Sequence, residues 1–448
     1  MRYTASEKEF LIEKNFNEYG SVYRFMDFID KTEAANLTNL RAELIKRLEK
    51  CGVIYGVNNT KLDMRHLSPG CKICSEGKWS CLFINNICNA KCFYCPSEQK
   101  ELSIPATNHL TFKSAEVYAL YLKKFGFSGA SISGGEPFIT FDLTLEYIKT
   151  IREVMGVDFH IWMYTNGILA DRTKIQSLAN AGLNEIRFDL TAVDYNIEKA
   201  ALACGIVETV TVEIPAIPDE IDNLKKMVSE LSIAGINHLN LHQLRCTPYS
   251  VPKLIERGIS FIHAPFVLAA YSEVTALELM AYTLENRINL PVNFCSFLYK
   301  HSCQNAASRK RGVNHIVLHE ESVTESGYIR SITSKGLSLT EEEFKTNSYD
   351  SVNIDYFDSR ITEKGGNGAK EISVTPSTKF FIHKRLAMPS FLLKKDEISI
   401  YKNPFLGNFL WDSEKDTGEM LNLSNDKTAK FAAIRNLEKL PSGFIEYF

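Results

Sequence analysis

No stretch of the 448-residue sequence approaches the ~18 uninterrupted apolar residues that a membrane-crossing helix requires, and the opening MRYTASEKEF lacks the apolar region of a secretory signal. Both absences lead us to expect a soluble, cytoplasmic protein with no membrane partner. Charge of one sign is also scarce. A formal net charge of -3 supplies no overall attraction to a phosphate backbone, so nucleic acid is not an expected partner. There is no internal repeat and no low-complexity tract, and no cysteine follows Cys303.

What is present is an ordinary globular mixture, 45% hydrophobic and 23% charged, in a chain longer than one usual domain. A large domain with one or two smaller ones is the expectation. The 11 cysteines would be out of place as disulfides in a reducing compartment, and six of them fall between positions 71 and 95, which favours metal binding. Cys204 and Cys246 sit in apparent core segments and read as small buried hydrophobes.

Residues 1–70 show helical periodicity, clearest in EAANLTNLRAELIKRLEK, where Leu37, Leu40, Leu44 and Leu48 recur every three or four positions. From residue 79 the texture changes to short apolar strands alternating with amphipathic helices. Strands are expected at WSCLFI, GASISG, DFHIWMYT, EIRFDLT, ETVTVEIPA and HLNLHQL, with helices beginning near Ser114, Leu143, Arg172, Asn196 and Ile221. Parallel neighbours need such crossovers, so the pattern predicts an α/β fold, either doubly wound or a partial barrel. A long apolar helix at about 264–288 and a strand at PVNFCS extend the unit to near residue 312. Beyond it we expect a smaller α+β domain with a turn at 364–370 and a closing helix after Ser424. The expected division is thus a helical, cysteine-rich segment 1–78, a barrel 79–312 and an accessory domain 313–448.

The run CNAKCFYCP places Cys88, Cys92 and Cys95 directly after the first strand of the parallel unit, where loops at strand C-terminal ends gather ligands. Three thiolates can hold three irons of a four-iron, four-sulfur cluster and leave the fourth iron open. A zinc knuckle is the alternative, but it usually pairs short spacings to reach four ligands, whereas this C-x3-C-x2-C triplet is complete on its own.

This loop resembles the hallmark of the radical S-adenosylmethionine (SAM) superfamily, and SISGGEPFIT after the second strand and MYTNG at the end of the third resemble the same family. The resemblance spans roughly residues 79–300 and implies a partial (β/α)6 TIM-type barrel. It further implies that Cys88, Cys92 and Cys95 hold a 4Fe-4S cluster, that Tyr94 lies beside the adenine, and that Gly134, Gly135 and Glu136, followed by Pro137, secure the methionine end of S-adenosylmethionine. Asn166, Asp189, Thr191, Ile214 and Ala216 occupy positions where the family contacts the cofactor. The implied activity is reductive cleavage of S-adenosylmethionine to a 5'-deoxyadenosyl radical, which abstracts hydrogen from an unactivated carbon. A reductant such as flavodoxin or ferredoxin is the implied electron donor.

Just upstream, Cys71, Cys74 and Cys81 are spaced C-x2-C-x6-C among the turn-forming Pro69, Gly70 and Gly77, with Cys51 the nearest fourth ligand. We expect a closed zinc or iron site there, with a structural role. A second iron-sulfur cluster completed by Cys295 and Cys303 is the alternative, less favoured for its sequence distance. The many C-terminal cysteines of SPASM-type accessory clusters are absent.

The run SPGCKICSEGKWSCLFINNICNAKCFYCP resembles the cluster region of a cobalamin-dependent radical methyltransferase, the methanogen enzyme that C-methylates an arginine of methyl-coenzyme M reductase. That resemblance implies a peptide or protein substrate, cobalamin as a further cofactor, and C-methylation of an sp3 carbon, although the C-terminal portion has no D-x-H-x-x-G cobalamin signature. Two alternatives stay open: a cobalamin-independent radical enzyme that rearranges or cross-links a small molecule or peptide, and a zinc-binding, non-catalytic adaptor.

Overall fold

A computed structural model describes residues 5–53, 66–107, 110–264, 266–313, 322–323, 329–334, 337–339, 380–385 and 398–400. The turn expected at 364–370 and the helix expected after Ser424 lie outside the described residues. The described residues up to Gln304, with the strand Ile398–Ile400, form one compact unit; those from Asn305 to Arg385 belong to a second.

The chain opens with helices α1 (Ala5–Tyr19) and α2 (Lys31–Lys50). Asp30 caps α2 by accepting from the Glu33 N–H, and Leu37, Leu44 and Leu48 of the apolar stripe are buried, whereas Leu40 is exposed. The short α3 (Pro69–Ser75) carries Pro69 in its first turn and Ser68 as its cap. Strand β1 (Trp79–Phe83) follows, then four short strands: β2 (Asn86–Ile87), β3 (Lys100–Glu101), β4 (Ala106–Thr107) and β5 (Leu110–Phe112).

Regular alternation begins with α4 (Ala115–Lys124), β6 (Gly129–Ser133), α5 (Phe141–Met155), β7 (His160–Thr165), α6 (Arg172–Asn180) and β8 (Glu185–Phe188). It continues through α7 (Glu198–Ala203), β9 (Thr209–Ala216), α8 (Ile221–Ala234) and β10 (His238–Gln243). After α9 (Val251–Glu256), the hairpin β11 (Phe261–Ile262) and β12 (Leu268–Ala269), α10 (Ser272–Glu285) leads to β13 (Val292–Cys295). The expected helix at 264–288 is therefore shorter. Its first part pairs as a hairpin, because a short apolar run satisfies a buried strand as well as a buried helix.

The strands β1, β6, β7, β8, β9, β10 and β13 pair in that order, all parallel. Each neighbour is the next of these parallel strands in the chain, so the winding never reverses. A doubly wound sheet would show a switch point; this one winds as a barrel does. It does not close: β13 is one edge, and β1 pairs antiparallel with β4 on its far side.

Alternation along the strands sorts two faces. Leu82, Ile132, Met163, Ile186, Val212, Ile214 and Leu241 are buried on one, where Tyr118 of α4 reaches Ser80. The other is polar. It carries Glu185, Arg187, Glu213, Asn240 and Asn293, and the α3 turn packs on it through Gly70, whose N–H donates to Glu185 at 3.0 Å. A methyl at Gly70 would lie 2.4 Å from the Arg187 guanidinium and 3.2 Å from the Trp162 ring, so any side chain there would displace the buried Arg187–Glu185 pair.

Candidate active site

Strands β1, β6, β7 and β8 each deliver part of the site beyond their C-terminal ends. Beyond β1 and β2 the chain enters the loop of Cys88, Cys92 and Cys95, all partly exposed. Local bonds set its shape: the Cys88 N–H donates to Gln99 O (3.1 Å), the Cys95 N–H to Cys92 O (3.2 Å) and the Ala90 N–H to Cys88 Sγ (3.4 Å). Burial raises the pKa of all three thiols, that of Cys92 to about 12. Such thiols keep their protons until a metal displaces them.

The GGEP turn after β6 lies against this loop. The Gly135 N–H donates to Asn85 O (3.1 Å), the Glu136 N–H donates to Ile87 O (2.8 Å), and Gln99 Nε2 donates to Gly134 O (3.2 Å). Gly134 has φ +138°, and a Cβ on Gly135 would stand 1.9 Å from Ile87 O. We expect Gly135→Ala to lose S-adenosylmethionine binding and about 1–3 kcal/mol of stability, since backbone carries the clash. Isothermal titration and thermal melts check this; unchanged affinity would disconnect the turn from the cofactor.

Glu136 is 1% exposed, and its carboxylate accepts from the Phe138 N–H (3.0 Å), Thr165 Oγ1 (2.8 Å) and the Asn166 N–H (2.8 Å). The structure thus uses this side chain to brace the turn against the end of β7. Pro137 is buried and opens the short turn that leads into α5. Asn166 closes the circuit: its Nδ2 lies 3.6 Å from Cys88 Sγ and 2.8 Å from Asn89 Oδ1. Cysteine loop, GGEP turn and third-strand end are one hydrogen-bonded assembly.

At the end of β8, Asp189 accepts from Tyr94 Oη (2.7 Å) and the Thr191 N–H (3.2 Å), and burial lifts its pKa to about 6. Tyr94 packs among Ile217, Leu244, Val251 and Leu254, so its ring joins the apolar wall behind the loop and its hydroxyl fixes Asp189. Asn85 and Gln99 were not singled out in the sequence. Nothing in their spacing marks them; only the approach of the turn to the loop reveals them.

Ile214 and Ala216 are fully buried on the apolar face with Val210 and Val212, because residues two apart share a face. The local set Cys51, Cys71, Cys74 and Cys81 is not gathered as one site. Cys51 is exposed at the end of α2, while Cys74 is buried with Cys303 beside Cys295. Among the described residues no three His, Cys, Asp or Glu side chains converge as a single metal ion requires.

The triplet Cys88, Cys92 and Cys95 suits a cluster better than a lone ion, since a cubane takes its thiolates at separate corners while Zn–S bonds of about 2.3 Å draw them to one point. Residues 82–202 match the sequence model of the Radical SAM superfamily.

A Methanocaldococcus jannaschii protein named as a glycyl-radical enzyme activating enzyme is 28% identical over 279 residues, covering 59% of this chain and 72% of its own. A GTP 3',8-cyclase of Rhodopirellula baltica is 29% identical over 35% of this chain and 43% of its own, and one named for Methanococcus maripaludis 35% identical over 39% and 53%. The chain therefore spans about half the length of these cyclases. Streptococcus suis SuiB with its precursor peptide SuiA aligns at a TM-score of 0.38 and 13% identity, covering 64% of this chain and 62% of SuiB, too distant to bear on function. Among the described residues no helix is long and apolar enough to cross a membrane.

Proposed function

We propose that the chain is a radical SAM enzyme that abstracts hydrogen from a peptide or protein substrate. The observation that carries the reading is the joint at Asn166, which ties Cys88 and the Glu136 turn together at one mouth. Cys88, Cys92 and Cys95 would hold the cluster, and with S-adenosylmethionine bound it would supply an electron and the 5'-deoxyadenosyl radical. The residues of the chain do the positioning. Gly134 and Gly135 let backbone approach closely, Glu136 and Asn85 lock the turn, and Tyr94 with its apolar neighbours keeps water from the loop.

The peptide or protein class is favoured because the match to the activating enzyme runs over 59% of this chain, whereas the two cyclase matches cover 35% and 39%. The methyl-transfer variant with cobalamin rests on sequence resemblance alone. To test the reading, anaerobically reconstituted full-length protein is incubated with dithionite and S-adenosylmethionine, and 5'-deoxyadenosine is measured with peptide pools, with GTP, and with cobalamin added. Stimulation by peptides is expected. Stimulation by GTP alone would transfer the reading to a nucleotide substrate, and absence of 5'-deoxyadenosine from a coloured, reducible sample would end it.

A further inference from the structure

We propose that the barrel seam between β1 and β13 holds a second iron-sulfur cluster, closed by Cys71, Cys74, Cys295 and Cys303. These residues come from three separate places: Cys71 and Cys74 one turn apart on α3, Cys295 at the end of β13, and Cys303 on the π-helical turn Lys300–Asn305. Cys74 and Cys303 are buried against Tyr299, with Trp79 and Cys295 packed beside them. Trp79 begins β1 and Cys295 ends β13, so the group touches both end strands of the parallel run.

The surroundings of the sulfurs separate this from a patch of apolar thiols. Asn240 Nδ2 lies 3.2 Å from Cys71 Sγ, and Asn293 Nδ2 stands 3.9 Å from both Cys71 Sγ and Cys295 Sγ. Tyr299 Oη, at 3.8 Å, and Gln304 Nε2 both donate toward Cys74 Sγ. Asn240 Nδ2 also donates to Glu213 Oε2 (3.1 Å) and Asn293 Nδ2 to Asn240 Oδ1 (3.0 Å), so it is the Tyr299 and Gln304 donors aimed at Cys74 that call for a strong sulfur acceptor, since buried donors cost desolvation unless a good acceptor faces them. Sulfurs that carry negative charge are such acceptors, and hydrogen bonds of this kind set iron-sulfur potentials.

π-Helical turns are rare and concentrate at functional sites; here the wide turn carries both Cys303 and Gln304 to the seam. The four thiols, like the Cys88 triplet, are not drawn to the single point that one ion needs. A cubane does not ask for that. With four protein thiolates every iron is satisfied, so the site accepts and returns one electron and takes no substrate on iron.

The test uses full-length protein reconstituted anaerobically with iron and sulfide, and needs no S-adenosylmethionine, so its outcome is independent of the function proposed above. The triple variant C88A/C92A/C95A is expected to keep about half of the wild-type iron and acid-labile sulfide, with a charge-transfer absorption that dithionite bleaches. Adding C74A and C303A to it should reduce both to background, whereas adding C51A and C81A instead should leave them unchanged. Gel filtration and near-ultraviolet circular dichroism report the fold of each variant. The single variants Cys295→Ser and Cys303→Ser in the otherwise wild-type chain give the same readout as a loss of up to half the iron. A triple variant without iron-sulfur absorption, zinc in place of iron, or iron lost through C51A/C81A would each overturn the proposal.

Discussion

Cys92→Ala is expected to reduce 5'-deoxyadenosine formation to the level of a protein-free control while leaving the fold intact. Cys92 is only partly buried, resting against the apolar wall that includes Tyr94, and truncating one thiol there costs about 1 kcal/mol. Its chemical loss is far larger. Removing one of three thiols from a loop with no spare ligand leaves two, and two do not hold a cubane firmly enough to present an open iron. The measurement is chromatography of reaction mixtures containing dithionite and S-adenosylmethionine, with melting temperature recorded on the same sample. Wild-type 5'-deoxyadenosine from the variant would refute the assignment of this loop.

Arg187→Met is expected to destabilise the barrel by about 3–5 kcal/mol, because it leaves buried carboxylate without its cation. Arg187 donates to Glu185 Oε1 at 2.8 Å and to Glu213 Oε2 at 2.6 Å, and its Nη2 reaches Ser68 at 3.2 Å. Glu185 is fully buried. Burial by itself would raise the carboxyl of Glu185, but Arg187, His160 and the Gly70 N–H together hold it well below the usual carboxylate range. A depressed pKa means that its stabilising contribution is present above the unfolded value of about 4.3 and is lost as pH falls below it. In the variant the guanidinium no longer offsets burial, the pKa of Glu185 rises, and this contribution shrinks. The stability gap between wild type and variant should therefore narrow as pH is lowered from 7 through the carboxylate range. Urea unfolding at several pH values measures it, and a gap independent of pH would show that packing, not charge, is what Arg187 supplies.

The strand positions show how much of the fold local pattern carries. WSCLFI, GASISG, DFHIWMYT and HLNLHQL each contain the observed strand, with ends displaced by two residues at most. Ser114, Asp171 and Gly235 mark helix ends by capping chemistry that works within one turn. The apolar run near 264 misled because periodicity does not distinguish a short buried strand from the start of a helix, and pairing with Phe261 and Ile262 decided for the hairpin.

What the sequence settles unaided is what lies within a few residues of itself: three thiols spaced along one loop, a Gly-Gly-Glu-Pro turn after a strand, and the alternation that makes a parallel sheet. Which face of the sheet Ile214 takes, which thiols lie beside Cys74, and how Glu185 obtains its cation were left to the tertiary structure. Those outcomes turn on strand register and on which face of the sheet each residue takes, and on the open seam that brings residue 74 to residue 303. Such contacts join positions far apart along the chain, where spacing holds no record of them.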